Sequence, residues 1–131
     1  LHLAEDMFLP GMRPDVPQIL RCMDIFILTS LWEGLPRVIP QAMAAGLPVI
    51  ANGVDGVCEV IDDGKNGFII PPHDVELMAE KIVLLLSDRT LREQLGARGK
   101  VTAQQEFSVV EMVKKIEALY QELLSIKNKR A

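Results

Sequence analysis

The sequence predicts an α/β protein with a mainly parallel sheet of about four short strands, flanking helices and a helical C-terminal part. Three observations support this prediction. Short apolar runs alternate with segments of helical spacing, the connections between them are only a few residues long, and the runs are apolar throughout. A strand without polar positions is typical of a parallel sheet that helices cover on both faces.

The first elements lie between the N-terminus and residue 29. Residues 7–9 are predicted to form a short buried strand. Residues 15–22 carry apolar side chains at helical spacing, which predicts a helix with Asp15 at its N-cap and Pro17 in its first turn. Residues 25–29 are continuously apolar and rich in β-branched side chains, so we expect a second strand there.

The middle of the chain supplies the rest of the sheet. Residues 36–45 are predicted to form a helix that Gly46 ends, and residues 48–51 a short buried strand after it. Residues 68–70 follow a Lys-Asn-Gly turn and are predicted as a fourth strand.

After about Ser87 the chain has few glycines and no proline, which favours helix; three helices are predicted from Asp74 onward. Asp74 caps the first, and residues 90–99 form a shorter second one. Ser108 and Glu111 form a capping box at the start of the third, with Phe107 packed against Met112.

The third helix carries one apolar stripe, which we expect to pack on the sheet or on another helix; its members are Met112, Ile116, Leu119, Leu123 and Ile126. A membrane-surface role, aided by a small basic cluster near the end, is the less favoured alternative. Residues 1–131 are therefore predicted to be one domain, with residues 108–131 as a C-terminal helix packed on it.

Composition narrows the functional classes. The 131 residues are 49% hydrophobic and 24% charged, which excludes a disordered, collagenous or disulfide-stapled chain. The net charge of −4 argues against binding to nucleic acid, which needs clustered positive charge.

Cys22 and Cys58 are predicted to be reduced, small core residues of a cytoplasmic protein. No apolar run is long enough to span a bilayer, and no signal peptide is predicted.

The stretch from residue 29 to residue 51 reads TSLWEGLPRVIPQAMAAGLPVIA and carries the chemistry. It predicts a strand end, a turn, a helix start, a helix and a second strand. Gly34 lets the backbone approach a ligand, and Pro36 fixes the first helical turn. The backbone amides of Leu35, Arg37 and Val38 are then unpaired donors at the carboxyl end of a parallel strand, where anions such as phosphate bind.

Glu33 directly precedes this predicted helix. The residues alone leave two interpretations open, since Glu33 either caps the helix and favours its dipole or contacts a ligand.

The strings EGLP (33–36) and QAMAAGLPVI (41–50), together with Ser30, closely resemble the pattern of the glycosyltransferase group 1 family, also called family 4. The likeness covers roughly residues 8–108 and includes the segments 59–61 and 63–68. It implies a GT-B protein of two Rossmann-like domains. The chain then corresponds to the C-terminal, nucleotide-sugar-binding domain, whose sheet is partial here.

The resemblance also implies site residues. In the family, two glutamates separated by seven residues contact the donor sugar and the ribose of the nucleotide. Glu33 matches the first and is the implied catalytic residue, whereas Gln41 stands in place of the second. An amide in place of a carboxylate makes one bond neutral, which weakens donor binding by roughly 1 kcal/mol. The implied donor-binding residues are Gly34, Leu35, Pro36, Arg37, Val38 and Gln41.

The implied activity is retaining transfer of a sugar from a nucleotide-sugar donor to an acceptor hydroxyl, without a metal ion or other cofactor. In the family, an acceptor-binding N-terminal domain and the Arg and Lys that neutralise the diphosphate precede the region matched here. Because the chain starts at Leu1 rather than Met and those parts precede the matched region, we expect a fragment that is inactive alone. The strand at residues 25–29 then lacks one neighbour and exposes an apolar edge, so we expect an oligomer or a marginally stable monomer. The resemblance places the full-length protein in the cytoplasm or peripherally on the inner membrane.

Two other functions stay open. One is a non-catalytic nucleotide-binding or structural Rossmann-like module, which Gln41 favours for the isolated chain. The other is a GT-B relative such as a nucleotide-sugar epimerase, which the AMAAG string fits less well.

Overall fold

Three short parallel strands form the sheet, in the order β1-β2-β3. The strands are β1 (Phe26–Leu28), β2 (Val49–Asn52) and β3 (Gly67–Ile70). This computed structural model describes residue 3 and residues 5–130, except for the side chains of residues 128–130. The parallel sheet and its flanking helices confirm the predicted α/β class, with three strands where about four were expected.

Five α-helices and one 3₁₀ turn accompany the sheet within the described residues. The 3₁₀ turn, Asp55–Val57, follows β2 directly. The helices are α1 (Val16–Leu20), α2 (Val38–Ala44), α3 (Val75–Ser87), α4 (Arg89–Glu106) and α5 (Val109–Arg130).

The core surrounds β2, in which all four residues are buried. Val49 and Ala51 belong to one apolar cluster together with Ile39 and Met43 of α2. Ile50 belongs to a second cluster, whose other buried members come from β3, α3 and α4 and are Ile70, Met78, Leu85 and Leu95. Since alternate residues of a strand point to opposite faces, both faces of the sheet are covered.

Helix α4 is longer than the predicted segment 90–99, because two glycines inside it are packing positions rather than stops. A Cβ atom at Gly96 would lie 2.0 Å from the carbonyl oxygen of Gly46, which ends α2 with a φ of 84°. Gly99 lies against Met43 of α2. The absence of side chains at both glycines therefore lets α4 pack closely against α2, and this tertiary contact outweighs their low helix propensity.

Residues 7–9 are not a strand, so that prediction is wrong. They form an exposed loop in which Phe8 is 84% exposed. A strand needs a hydrogen-bonded neighbour, and in the described part of the chain β1 pairs only with β2. Among the residues described, the second edge of β1 is thus open, as the sequence predicts.

Asp15 occupies the predicted N-cap position of α1, but its side chain does not cap the helix. Arg13 donates two hydrogen bonds to the carboxylate instead, at 2.8 and 2.6 Å. The guanidinium beside it lowers the pKa of Asp15. By contrast, Asp74 accepts from the Leu77 amide at 2.9 Å, which confirms the predicted cap of α3.

Helix α5 begins as predicted but differs in its packing. The Ser108 hydroxyl accepts from the Glu111 amide at 3.2 Å, whereas the Glu111 carboxylate binds Lys114 rather than completing the capping box. The predicted stripe lies on α5, but each of its five residues is at least 40% exposed. Within the described chain α5 meets mainly α4, so the stripe lacks the expected cover. The predicted end of this helix at residue 131 lies outside the described residues.

Cys22 and Cys58 are not bonded to each other, and the prediction that they are core residues is wrong. Cys22 lies in the turn after α1, and Cys58 follows the 3₁₀ turn; both are exposed. Both cysteines have apolar neighbours in the sequence, yet both are exposed because they lie in turns at the surface.

Candidate functional site

The segment that carries the chemistry lies at the carboxyl ends of β1 and β2. We call residues 29–37 the site loop; it leaves the end of β1 and leads into α2. Asn52, the last residue of β2, donates hydrogen bonds from its side-chain nitrogen to the carbonyl oxygens of Thr29 at 3.0 Å and Ser30 at 3.3 Å. In open parallel sheets this edge is where ligands bind.

A second contact holds the other half of the site loop. Gly56 lies in the 3₁₀ turn after β2, and a Cβ atom there would be 1.5 Å from the carbonyl oxygen of Gly34 and 3.0 Å from the Cα of Leu35. Only glycine permits this approach of two backbones. The loop is therefore fixed on both sides of residues 31–33.

The site loop then turns into α2 through a buried Pro36. The Ile39 amide donates to the Pro36 carbonyl at 3.0 Å, and the Gln41 amide donates to the Arg37 carbonyl at 3.3 Å. No side chain in the described part of the chain caps this helix start. Among the described residues, none accepts a hydrogen bond from the amides of Leu35, Arg37 and Val38. These amides are donors available to a ligand.

The predicted site residues come together on this edge of the sheet. Glu33 is half-buried, while Gly34, Leu35, Arg37 and Val38 are exposed. Gln41 is exposed on α2, one turn after Arg37 and Val38. Residues three and four apart share one helix face, so these three side chains lie on the same side of α2.

Two grooves of the molecule lie elsewhere. One, of about 430 Å³, lies at the opposite edge of the sheet, between Asp24, Pro48 and Arg92. The other, of about 290 Å³, is bounded by residues such as Glu59 and Thr102. The site loop is thus an open, largely exposed surface of this chain, and Trp32 within it is 80% exposed.

Within the described residues, no group of three or more His, Cys, Asp or Glu side chains is arranged to hold a metal ion. The helices described here are all too short or too polar to cross a membrane.

Asn52 and Gly56 are the residues of this region that the sequence analysis missed. A polar side chain directly after an apolar strand was the available signal for Asn52, because such a residue stands at the carboxyl edge of the sheet. Nothing in the sequence indicates that Gly56 touches Gly34, since the contact joins segments that are distant along the chain.

Comparisons with known proteins identify the family of the chain. The sequence model of the family "Glycosyl transferases group 1" matches residues 1–102. The UDP-Gal:alpha-D-GlcNAc-diphosphoundecaprenol alpha-1,3-galactosyltransferase of Escherichia coli is 33% identical over 121 residues, which cover 92% of this chain and 31% of that protein. Spore coat protein SA of Bacillus subtilis is 39% identical over 119 residues, which cover 87% of this chain and 31% of that protein.

Solved structures show the same similarity. HepE of Anabaena, in complex with UDP and glucose, superposes with a TM-score of 0.87 at 29% identity, covering 92% of this chain and 33% of that one. The C-terminal domain of the group 1 glycosyl transferase LpcC from Francisella tularensis superposes with a TM-score of 0.70 at 26% identity, over 79% of this chain and 53% of that one. The chain thus spans about a third of the full-length relatives.

The match over residues 1–102, the strand and helix order and the solved neighbours agree with one another. The chain belongs to the group 1 glycosyltransferase family and corresponds to the C-terminal part of these GT-B proteins.

Proposed function

We propose that this chain binds the nucleotide-sugar donor of a retaining glycosyltransferase, which transfers the sugar to an acceptor hydroxyl. The observation that carries this proposal is the site loop, in which Glu33 and three unpaired amides lie at the carboxyl edge of the sheet. Complexes of Anabaena HepE with UDP and with UDP-glucose support a nucleotide-sugar ligand.

Each polar group has a role that suits its chemistry. The Glu33 carboxylate accepts hydrogen bonds from hydroxyls of the donor sugar and is the catalytic residue of this chain. The amides of Leu35, Arg37 and Val38 donate to the sugar and the diphosphate, beside Gly34 and Pro36 in the same loop. Gln41 accepts from a ribose hydroxyl with a neutral oxygen, where a glutamate would offer a charged one.

When the nucleoside diphosphate departs as the leaving group, negative charge develops on its oxygens. Stabilising that charge is a major part of catalysis. Around the site loop, Arg37 is the cation that this chain contributes. We therefore assign the remaining positive charge and the acceptor site to the N-terminal domain of the full-length protein, with no metal ion. The chain alone binds the donor without transferring the sugar.

The open edge of β1 and the exposed stripe of α5 favour self-association of the 131-residue chain. Two free, exposed cysteines favour a reducing compartment such as the cytoplasm.

A nucleotide-binding module without catalysis is the second candidate function. The single observation that favours it is Gln41, which lacks the charge of the family's second glutamate. The sequence that precedes residue 1 in the full-length protein separates the two candidates. A transferase is supported if that sequence holds an N-terminal Rossmann-like domain, followed by a Gly-Arg pair and then a Lys shortly before residue 1.

Titration of the purified chain with UDP tests the shared part of both functions. Calorimetry should show one saturable site, and the fluorescence of Trp32, the one tryptophan of the chain, should change because it lies in the site loop. Glu117→Ala, an exposed change on α5, is the control that should bind UDP as the unaltered chain does. Absence of saturable binding at millimolar UDP contradicts the proposal.

A further inference from the structure

Asn52 has an unusual combination of burial and bonding. Asn52 is 7% exposed. Among the described residues, Asn52 and Asn66 are the buried polar ones. A side-chain amide group has two N–H donors, and the Asn52 nitrogen directs them to two successive carbonyls, those of Thr29 and Ser30. The side chain therefore joins the end of β2 to the start of the site loop.

These two hydrogen bonds are important because the site loop has few others. The ladder between β1 and β2 pairs Leu28 with Ala51 and goes no further along β1. Backbone hydrogen bonds resume at Pro36, whose carbonyl accepts from Ile39. Among the described residues, the Asn52 side chain supplies the hydrogen bonds that connect residues 29–35 to the sheet.

The location of their hydrogen bonds distinguishes Asn52, which positions the site loop, from Asn66, which contributes to stability elsewhere. Asn66, the other buried asparagine, bonds to the Asp62 amide, the Val60 carbonyl and the Thr102 hydroxyl, all distant from the site loop. Loss of either amide leaves buried or part-buried polar groups unpaired and lowers stability. Only loss of the Asn52 amide releases the segment that carries Glu33.

We propose that Asn52 is a positioning residue of the donor site, which holds the site loop so that Glu33 and the free amides face one ligand. This inference rests on the proposed donor-binding function. A loop fixed before the ligand arrives loses less conformational entropy on binding, so donor affinity depends on Asn52 although Asn52 need not touch the donor. Gly56 provides the second fixed point, at Gly34.

Asn52→Ala tests the inference, with Asn66→Ala as its matched control. Time-resolved fluorescence anisotropy of Trp32 reports local motion of the site loop directly, since no other tryptophan is present. We expect a larger fast local component in Asn52→Ala and about tenfold weaker UDP binding, because two hydrogen bonds to the loop are lost. Asn66→Ala should lower the melting temperature but keep the Trp32 signal and the UDP affinity of the unaltered chain.

Unchanged Trp32 motion in folded Asn52→Ala, or the same increase in Asn66→Ala, overturns the inference. Failure of the unaltered chain to bind UDP contradicts the proposed function instead, while the Trp32 comparison still decides whether Asn52 holds the loop. If Asn52→Ala does not fold, the hydrogen-exchange rate of the Asn52 side-chain amide in the unaltered chain tests the inference instead. Protection at least tenfold above that of an exposed asparagine amide supports the inference, and exchange at the exposed rate overturns it.

Discussion

Gly56 and Gly34 meet backbone to backbone, so closely that a Cβ atom at residue 56 would lie 1.5 Å from the carbonyl oxygen of Gly34. Two segments that follow different strands are joined there without any side chain. The contact fixes the site loop at its second half, as Asn52 fixes the first.

Gly56→Ala should therefore destabilise the chain and displace the site loop. The added methyl group meets backbone atoms, which cannot rotate away as a flexible side chain can, so we expect a loss of about 1–3 kcal/mol in the free energy of unfolding. Urea denaturation followed by circular dichroism measures it. Gly34→Ala is the matched control, because a Cβ atom at Gly34 meets nothing within 4 Å. Equal stability of Gly56→Ala and Gly34→Ala would show that the backbone contact is not tight in solution.

Glu33→Ala in the full-length protein should reduce sugar transfer by more than about tenfold while the melting temperature stays unchanged. Glu33 is half-buried and has no hydrogen-bond or ion-pair partner among the described residues, so its removal leaves the fold intact. The loss arises from hydrogen bonds to the sugar that strengthen in the transition state. Initial rates with a nucleotide-sugar donor provide the measurement, with Glu117→Ala as control. Wild-type turnover in Glu33→Ala would rule out a catalytic role.

Gln41→Glu should leave the affinity for UDP unchanged or tighten it by up to about fivefold, since a charged acceptor forms a stronger bond with a ribose hydroxyl than a neutral one. Calorimetric titration of the chain with UDP measures the change. Gln94→Glu adds the same charge to an exposed position of α4, outside the site loop and α2, and should leave the affinity unaltered. Weaker binding in Gln41→Glu alone would contradict the assignment of Gln41 to the ribose.

The purified 131-residue chain should self-associate, and sedimentation velocity over a range of concentrations should reveal it. Two variants identify the surface. Leu119→Glu places a charge in the exposed stripe of α5, and Ile27→Lys places one on β1, the strand with the open edge. The variant that restores a monomer marks the surface used. A stable monomer for the unaltered chain at high concentration would show that neither surface pairs with a second copy.

The sequence by itself determined the elements whose signals are local. Apolar runs at residues 25–29, 48–51 and 68–70 correspond to β1, β2 and β3 within one or two residues. The caps at Asp74 and Ser108 are also present, because a cap depends on a side chain and an amide three residues later. The family pattern from Glu33 to Ile50 likewise lies in one continuous segment, so its residues stay together once the strand and helix around them form.

Only the tertiary structure decided which distant segments meet. The bonds from Asn52 to Thr29 and Ser30, and the approach of Gly56 to Gly34, join residues more than twenty positions apart. The same is true of Gly96 and Gly46, whose contact packs α4 against the end of α2. A strand prediction at residues 7–9 was wrong for the converse reason. An apolar run becomes a strand only where it lies beside a partner strand, and in the described chain residues 7–9 pair with no strand, although one edge of β1 is open.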